Sequence, residues 1–181
     1  MSTVTASTSA PVIRPAVSED VDDILQLIID LATYEKEPDA VKATPELLRQ
    51  NLFGPTPYAH ALLAFTSADA PKPVGLALYF FNYSTWTGRP GLYTSMSPPE
   101  CRNSGLGKAL FSELGRVARE KNCARLDWAV LKWNEPSIGF YEKTLHATQM
   151  SDWVGMRLDE AGIASLERFA LTPETSAPES S

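Results

Sequence analysis

Two short stretches of the sequence combine residue types that could carry out chemistry. The first, Arg102 to Lys108 (RNSGLGK), places two glycines and a serine between two basic residues. From Leu106 onward apolar residues recur every three to four positions, which predicts an amphipathic helix that begins inside this stretch. The N–H groups and positive dipole end at a helix start suit an anion, and glycine lets a phosphate approach closely. The stretch predicts a phosphate or pyrophosphate site, with a glycine-rich loop before an ordinary helix as the alternative.

The second stretch runs from Trp133 to Tyr141 (WNEPSIGFY) and lies between a predicted strand and a predicted helix. Asn134 could bond to the backbone in a gap between two separating strands. Tyr141 lies about two turns into the helix. The pKa of its phenol, about 10, is close to that of the thiol released when a thioester is cleaved, so Tyr141 could act as a general acid. A half-buried tyrosine that packs its ring against the sheet is the alternative.

Length and composition indicate an ordinary globular protein. The chain has 181 residues, of which 44% are hydrophobic and 21% charged, and its net charge is −6. Such an acidic balance argues against sequence-independent binding of nucleic acid, which needs a basic surface. Met1–Ala10 lacks the features of a secretory signal, and no apolar run approaches the roughly 20 residues that cross a bilayer. We therefore expect no nucleic-acid or membrane partner and a cytoplasmic location.

We expect a single folded domain over residues 12–171. The tails at 1–11 and 172–181 are rich in Ser, Thr, Ala and Pro, and we expect them to be disordered. His60 and His146 lie far apart in sequence, and no metal site is expected. Ser18, Thr44 and Asp159 are predicted helix caps. The predicted order of strands and helices, βααβββαβαββα, indicates an α/β fold with a mixed sheet. Its later strands are predicted at Tyr58–Phe65, Val74–Tyr83, Gly91–Ser97, Leu126–Leu131, Ala147–Met150 and Trp153–Leu158.

Together, R-x-x-G-x-G-K and W-N-E-P-S-I-x-F-Y, with Ile13-Arg14-Pro15-Ala16 before them, resemble the GNAT superfamily of N-acetyltransferases. The resemblance is nearest to the branch that acetylates diamines (spermidine and spermine) and thialysine. It extends over roughly 12–158 and includes Leu31-Ala32-x-Tyr34-Glu35 and Tyr83-x-x-Trp86-x-Gly88. It implies a mostly antiparallel sheet flanked by helices, in which two splayed strands form a wedge for acetyl-CoA as cosubstrate.

The resemblance also implies roles for individual residues. The acceptor would be a small cationic amine, and relatives are commonly homodimers. Tyr141 would protonate the departing thiolate, and Lys143 would approach a phosphate of the coenzyme. The amine would meet Tyr34, Glu35, Trp86 and Asp152, although the two carboxylates could be plain surface groups and Trp86 a packing residue. The remaining coenzyme-binding residues would be Arg102, Asn103, Ser104, Gly105, Leu106, Gly107, Lys108, Asn134, Glu135, Pro136 and Ser137.

The sequence departs from that branch just before the phosphate loop. Relatives carry an acidic pair on this strand, whereas here Tyr93 is followed by Thr94-Ser95-Met96-Ser97-Pro98. Because proline lacks an N–H group, Pro98 disfavours a central strand. The segment could come from an error in the gene model. It could also be a true variant that binds acetyl-CoA without turnover, or a strand in altered register with the base supplied by water or another carboxylate.

The function expected from these residues and the resemblance is acetyl transfer from acetyl-CoA to a primary amine. The acceptor would be a polyamine, a diamine or a lysine-like compound, attacking directly with Tyr141 as general acid. A non-catalytic acetyl-CoA-binding protein and an acetyltransferase for protein amines are the alternatives.

Overall fold

The computed structural model describes residues 10–97 and 105–171. The strands are β1 (Val12–Pro15), β2 (His60–Phe65), β3 (Gly75–Ser84), β4 (Arg89–Ser97) and β5 (Leu126–Trp128). The helices are α1 (Val21–Tyr34), α2 (Pro45–Phe53), α3 (Leu106–Glu120), α4 (Glu135–Leu145) and α5 (Glu160–Ala164). Short 3-10 turns occupy Ser18–Asp20, Pro38–Ala40 and Ser165–Phe169. By its internal contacts the chain divides into an N-terminal unit, up to Asn134, and a C-terminal unit from Glu135 onward.

The sheet of the N-terminal unit is mixed and has the strand order β1-β2-β3-β4-β5. Strands β1 to β4 pair antiparallel with their neighbours in sequence, whereas β5 lies parallel to β4. A parallel neighbour requires a crossover connection, which helix α3 supplies. The predicted α/β class and the mostly antiparallel sheet are therefore confirmed.

Each face of this sheet has its own apolar core. On one face Ile24 and Leu27 of α1 pack in a cluster with Leu63 and Leu76 of β2 and β3. On the other face Leu110 and Leu114 of α3 form a second cluster, together with alternate residues of the same strands. Because successive side chains on a strand point to opposite faces, the apolar runs of β2 and β3 serve both clusters. The apolar stripe predicted for α3 is fully buried and fixes this helix on the sheet.

The predicted caps have different outcomes. The Thr44 hydroxyl accepts a hydrogen bond from the N–H of Leu47 at 3.2 Å, and Asp159 accepts one from Gly162 at 2.7 Å, so both caps are confirmed. The prediction for Ser18 was wrong, because Ser18 lies in a 3-10 turn that precedes α1. Asp20 ends that turn and binds Arg14 of β1 through both of its carboxylate oxygens.

The structure confirms the predicted strand at Gly91–Ser97 and shows that it is longer than the sequence pattern indicates. Strand β4 begins at Arg89, two residues before the predicted start, and pairs with β3 over nine residues up to Ser97. Pro90 is tolerated because its backbone groups point away from β3: its carbonyl oxygen accepts a hydrogen bond from the N–H of Ala124 at 2.8 Å. Pro98 lies outside the described residues.

Two further strand predictions were wrong. Residues 147–150 and 153–158 have no strand structure, and β5 ends at Trp128 rather than at Leu131. A strand exists only where its N–H and C=O groups find a partner strand, whereas apolar composition predicts burial without specifying a partner.

Candidate functional site

Strands β4 and β5 separate after a short parallel contact. They pair only at Leu92–Thr94 with Leu126–Trp128, and β4 then continues for three residues while β5 ends. We call this separation the β4–β5 fork. The resemblance predicts splayed strands at this position, where β4 runs past the end of β5 over residues 95–97.

One peptide group of β4 faces the fork. The N–H of Leu92 donates to the carbonyl oxygen of Arg125, just before β5, at 3.0 Å. Because peptide groups alternate in direction along a strand, those of Thr94 and Met96 point to the same side as that of Leu92. The pairing with β5 ends at Thr94, so the Met96 peptide points toward the β5 side of β4 beyond the last paired residue.

The start of α3 lies near this fork. Leu106, the first residue of the helix, is buried in the same cluster as Leu92 and Met96 of β4. Gly105 is the N-cap and has a φ of 80°, a conformation that glycine adopts without strain. Among the residues that the structure describes, no heavy atom lies within 4 Å of where a Cβ would stand on Gly105 or Gly107. The first turn contains no acidic residue and includes Lys108, so this helix start has both the space and the charge to receive a phosphate.

The three residues before this helix start, Arg102, Asn103 and Ser104, lie outside the described residues. The described part of the predicted phosphate loop is therefore the segment from Gly105 to Lys108.

Three aromatic and amide side chains meet between the end of α1 and the loop after β5. The Tyr34 hydroxyl donates to the side-chain oxygen of Asn134 at 3.2 Å. The rings of Tyr34 and Trp133 have centroids 5.9 Å apart. Asn134 is buried, with 7% of its surface exposed. The structure thus brings together one predicted amine-binding residue and one predicted coenzyme-binding residue.

Lys36 joins this group, and the sequence analysis did not select it. Its ammonium group lies over the Trp133 ring, 5.3 Å from the centroid. Lys36 has a φ of 66° and closes α1: its N–H bonds to Thr33, and that of Glu37 bonds to Ala32. Glycine usually occupies this closing position at the end of a helix. The local sequence therefore does not indicate that a lysine there contacts the ring of a tryptophan almost a hundred residues later.

Two other predicted amine-binding residues lie elsewhere in the N-terminal unit. Glu35 is half-buried, and its N–H bonds to the carbonyl oxygen of Leu31 at the end of α1. Trp86 lies in the turn between β3 and β4, where 84% of its surface is exposed.

The other predicted site residues lie in the C-terminal unit. Helix α4 carries Glu135, Pro136, Ser137, Tyr141 and Lys143. Ser137 and Tyr141 are four positions apart and so share a helix face. The carbonyl oxygen of Tyr141 accepts a hydrogen bond from the N–H of Ala147 at 3.0 Å, which fixes the end of the helix. Asp152 lies in an exposed turn after residues 147–150.

Comparison with known proteins decides the family. The model of the acetyltransferase (GNAT) family matches residues 22–147, which is most of the chain. The chain belongs to the GNAT family of acetyltransferases. It is also 39% identical over 150 residues to the thialysine N-epsilon-acetyltransferase of Bos taurus, covering 79% of this chain and 87% of that protein. The predicted family and enzyme class are therefore confirmed.

Two further comparisons extend this result. The chain is 32% identical over 135 residues to the spermidine/spermine N(1)-acetyltransferase-like protein 1 of Homo sapiens, covering 71% of this chain and 19% of that protein. Among solved structures, an integron cassette protein from the mobile metagenome of V. cholerae has a TM-score of 0.68 at 22% identity. That alignment covers 88% of this chain and 98% of the other, and it supports the fold of the acetyltransferase.

Within 10–97 and 105–171, none of the helices has the length and apolar character that a membrane crossing requires. In the same ranges no three His, Cys, Asp or Glu side chains come together as a metal ion would need.

Proposed function

We propose that this GNAT acetyltransferase transfers an acetyl group from acetyl-CoA to a primary amine of a small cationic acceptor. A polyamine, a diamine and a lysine-like compound all belong to this class. The observation that carries the proposal is the 39% identity with a thialysine N-epsilon-acetyltransferase over most of both chains. The helix start at Gly105, with open space and positive charge, supports the choice of a phosphate-bearing acyl donor.

The acetyltransferase residues have distinct roles in this proposal. The N–H groups at the start of α3, with Lys108, would hold the pyrophosphate of the coenzyme, and Arg102, Asn103 and Ser104 would precede them. Asn134, Glu135, Pro136 and Ser137 would line the side of the pantetheine arm, and Lys143 would meet a nucleotide phosphate. When bound, acetyl-CoA supplies the thioester whose acyl group is transferred.

The chemical step would depend on two groups of this chain. The N–H of Met96 at the β4–β5 fork would donate to the carbonyl oxygen under attack; such a donor is typically worth about 3–4 kcal/mol of barrier. The Tyr141 hydroxyl would give its proton to the departing sulfur, which needs a donor with a pKa close to that of a thiol. Tyr34, Glu35, Trp86 and Asp152 would receive the cationic acceptor, because carboxylates and aromatic faces both attract ammonium groups.

Calorimetric titration with acetyl-CoA, followed by release of coenzyme A with thialysine and with spermidine, tests this proposal. We expect binding and an amine-dependent release. Binding without release on any amine would instead support a non-catalytic acetyl-CoA-binding protein, and release on peptides alone would support an acetyltransferase for protein amines.

A matched pair of glycine variants tests where the coenzyme binds. Gly107→Ala adds a methyl group at the start of α3, where the structure has open space, and should weaken acetyl-CoA binding by at least tenfold. Gly115→Ala makes the same change deeper in the same helix and should leave the Kd unchanged. Equal affinities in both variants would place the coenzyme elsewhere.

A further inference from the structure

The proposed reaction needs a group that takes a proton. A primary alkyl amine has a pKa near about 10 and is an ammonium ion at neutral pH, so it must lose a proton before its lone pair can attack. A carboxylate close to the reacting centre serves this purpose. Strand β4, from Arg89 to Ser97, contains no acidic residue.

Thr94 does not fill this role. Its side chain is buried, with 1% of the residue exposed, and its hydroxyl donates to the carbonyl oxygen of Leu78 at 3.1 Å. A neutral threonine hydroxyl is also a far weaker base than a carboxylate. The proton acceptor must therefore come from outside β4.

Asp127 lies on the neighbouring strand at the β4–β5 fork. It stands opposite Tyr93 in the parallel register, one position before the pairing ends at Thr94 and Trp128. Side chains opposite each other in a ladder lie on the same face of the sheet, so Asp127 and Tyr93 share a face. The ring of Phe80 on β3 lies 5.2 Å from that of Tyr93. A carboxylate and two aromatic rings thus share one sheet face beside the fork, a combination that attracts an ammonium group.

The setting of Asp127 is compatible with proton transfer. Nε of Arg125 lies 2.9 Å from Oδ2 of Asp127, which fixes the carboxylate in position. A carboxylate has about four acceptor sites on its two oxygens, so a single partner does not exhaust it. The Asp127 side chain is 37% exposed, and a proton that it receives can therefore pass to water.

We propose that Asp127 is the residue of this chain that takes the proton of the acceptor amine, directly or through one water molecule. This inference rests on the proposed function. The ammonium nitrogen gives one proton to the carboxylate, and its freed electron pair forms the C–N bond to the acetyl carbon. The C–S bond then breaks, its electrons leave with sulfur, and sulfur takes the proton of Tyr141. The nitrogen loses its second proton as the amide forms, and this proton restores Tyr141 by way of solvent. Asp127 returns the first proton to solvent. No oxidant, reductant or further reactant is required.

Steady-state kinetics of Asp127→Asn tests the assignment, with Asp69→Asn in the exposed loop between β2 and β3 as a matched control. Asp127→Asn keeps the shape of the side chain but removes the base. We expect kcat to fall by about 100-fold or more, the usual range for loss of a general base. The Kd for acetyl-CoA should stay within twofold of wild type, and Asp69→Asn should match wild type in both quantities.

Chemical rescue separates a base from a merely structural group. Asp127→Ser leaves room for a small carboxylate, so added formate should restore activity to this variant and leave wild type unaffected. Two outcomes with an active wild type would overturn the assignment and leave the proposed function intact. The first is a near-normal kcat in Asp127→Asn, and the second is a folded Asp127→Ser variant that formate does not rescue. A wild-type protein that acetylates no amine would overturn both.

Discussion

The hydroxyl group of Tyr34 donates a hydrogen bond of 3.2 Å to the side-chain oxygen of Asn134, a residue 100 positions further along the chain. The bond links the last residue of α1 to the residue just before α4. It therefore fixes the end of a helix that packs on the sheet relative to the loop that leaves the β4–β5 fork.

Tyr34→Phe tests how much this bond stabilises the fold. Removing a donor from a buried acceptor costs about 1–3 kcal/mol, because the acceptor was desolvated on folding. We expect the free energy of unfolding in urea to fall by that amount. Tyr58→Phe is the control, because Tyr58 is 79% exposed, and it should change little. Equal unfolding midpoints for the two variants would show that the bond contributes nothing.

Asp20 should make stability depend on pH. Hydrogen bonds from the Arg14 guanidinium, with a further one from the N–H of Val17, hold the pKa of Asp20 below its ordinary value. A carboxyl group whose pKa is lower in the folded than in the unfolded protein stabilises the fold at pH values above its unfolded-state pKa of about 3.9. This stabilisation is lost as the pH falls through the folded-state pKa. Asp20→Asn should therefore be less stable than wild type by about 1.5–3 kcal/mol at pH 7.

The difference between wild type and Asp20→Asn should shrink below about pH 4, as measured by urea unfolding at several pH values. Asp23→Asn is the control, because Asp23 pairs at 3.4 Å with an exposed Lys72. Such an exposed pair is worth at most about 1 kcal/mol. A difference that stays constant from pH 7 to pH 3 would contradict the assigned role of Asp20.

Gly91→Ala should destabilise β4. A Cβ at Gly91 would stand 2.3 Å from Oδ1 of Asn82 and 3.1 Å from Cγ of Arg125, so these side chains must shift. Overpacking of this kind costs about 1–3 kcal/mol. Asn82→Ala in the same chain removes the nearest atom and should recover part of the loss. Gly115→Ala, in the interior of α3, should instead raise stability by about 0.5–1 kcal/mol.

Thermal and urea unfolding of Gly91→Ala, of the double variant with Asn82→Ala, and of Gly115→Ala would measure these changes in stability. A Gly91→Ala variant as stable as wild type would mean that the Asn82 side chain moves aside freely.

Tyr141→Phe should lower kcat by about 100-fold or more, because phenylalanine has no proton to give to the departing sulfur. The Kd for acetyl-CoA should stay near the wild-type value, since the ring is retained. Steady-state kinetics and calorimetry on the same preparation provide both quantities. An unchanged kcat would remove Tyr141 from the mechanism.

Much of the fold was predictable because local patterns and burial agree. The stripe of Leu106, Leu110 and Leu114 indicates a helix with one buried face, and these residues are buried on α3. Thr44 before Pro45 is a typical helix start, and the structure has it. In each case residues close together in the sequence are sufficient to predict the local structure.

Predictions that depended on a distant partner were less successful. Two prolines, Pro90 within β4 and Pro98 after it, made the sequence indicate a shorter and less favourable strand than the one that pairs with β3 at nine positions. The apolar residues of 153–158 suggested a strand, but composition does not specify which backbone groups would pair with it. The contact of Lys36 with Trp133 and the register of Asp127 with Tyr93 likewise follow from the fold rather than from nearby sequence.

Strand β4 pairs with β3 at nine positions and with β5 at three, so the sheet of this acetyltransferase has a part that resists local opening and a part that opens more easily. Strands β1 to β4 form a meander of sequence neighbours, whereas β5 is attached through three paired positions after a crossover. Regions held by few backbone hydrogen bonds open with lower free energy than the core. Amide protons of β5 should therefore exchange with solvent through small local openings, while those shared by β3 and β4 exchange only when the whole meander unfolds.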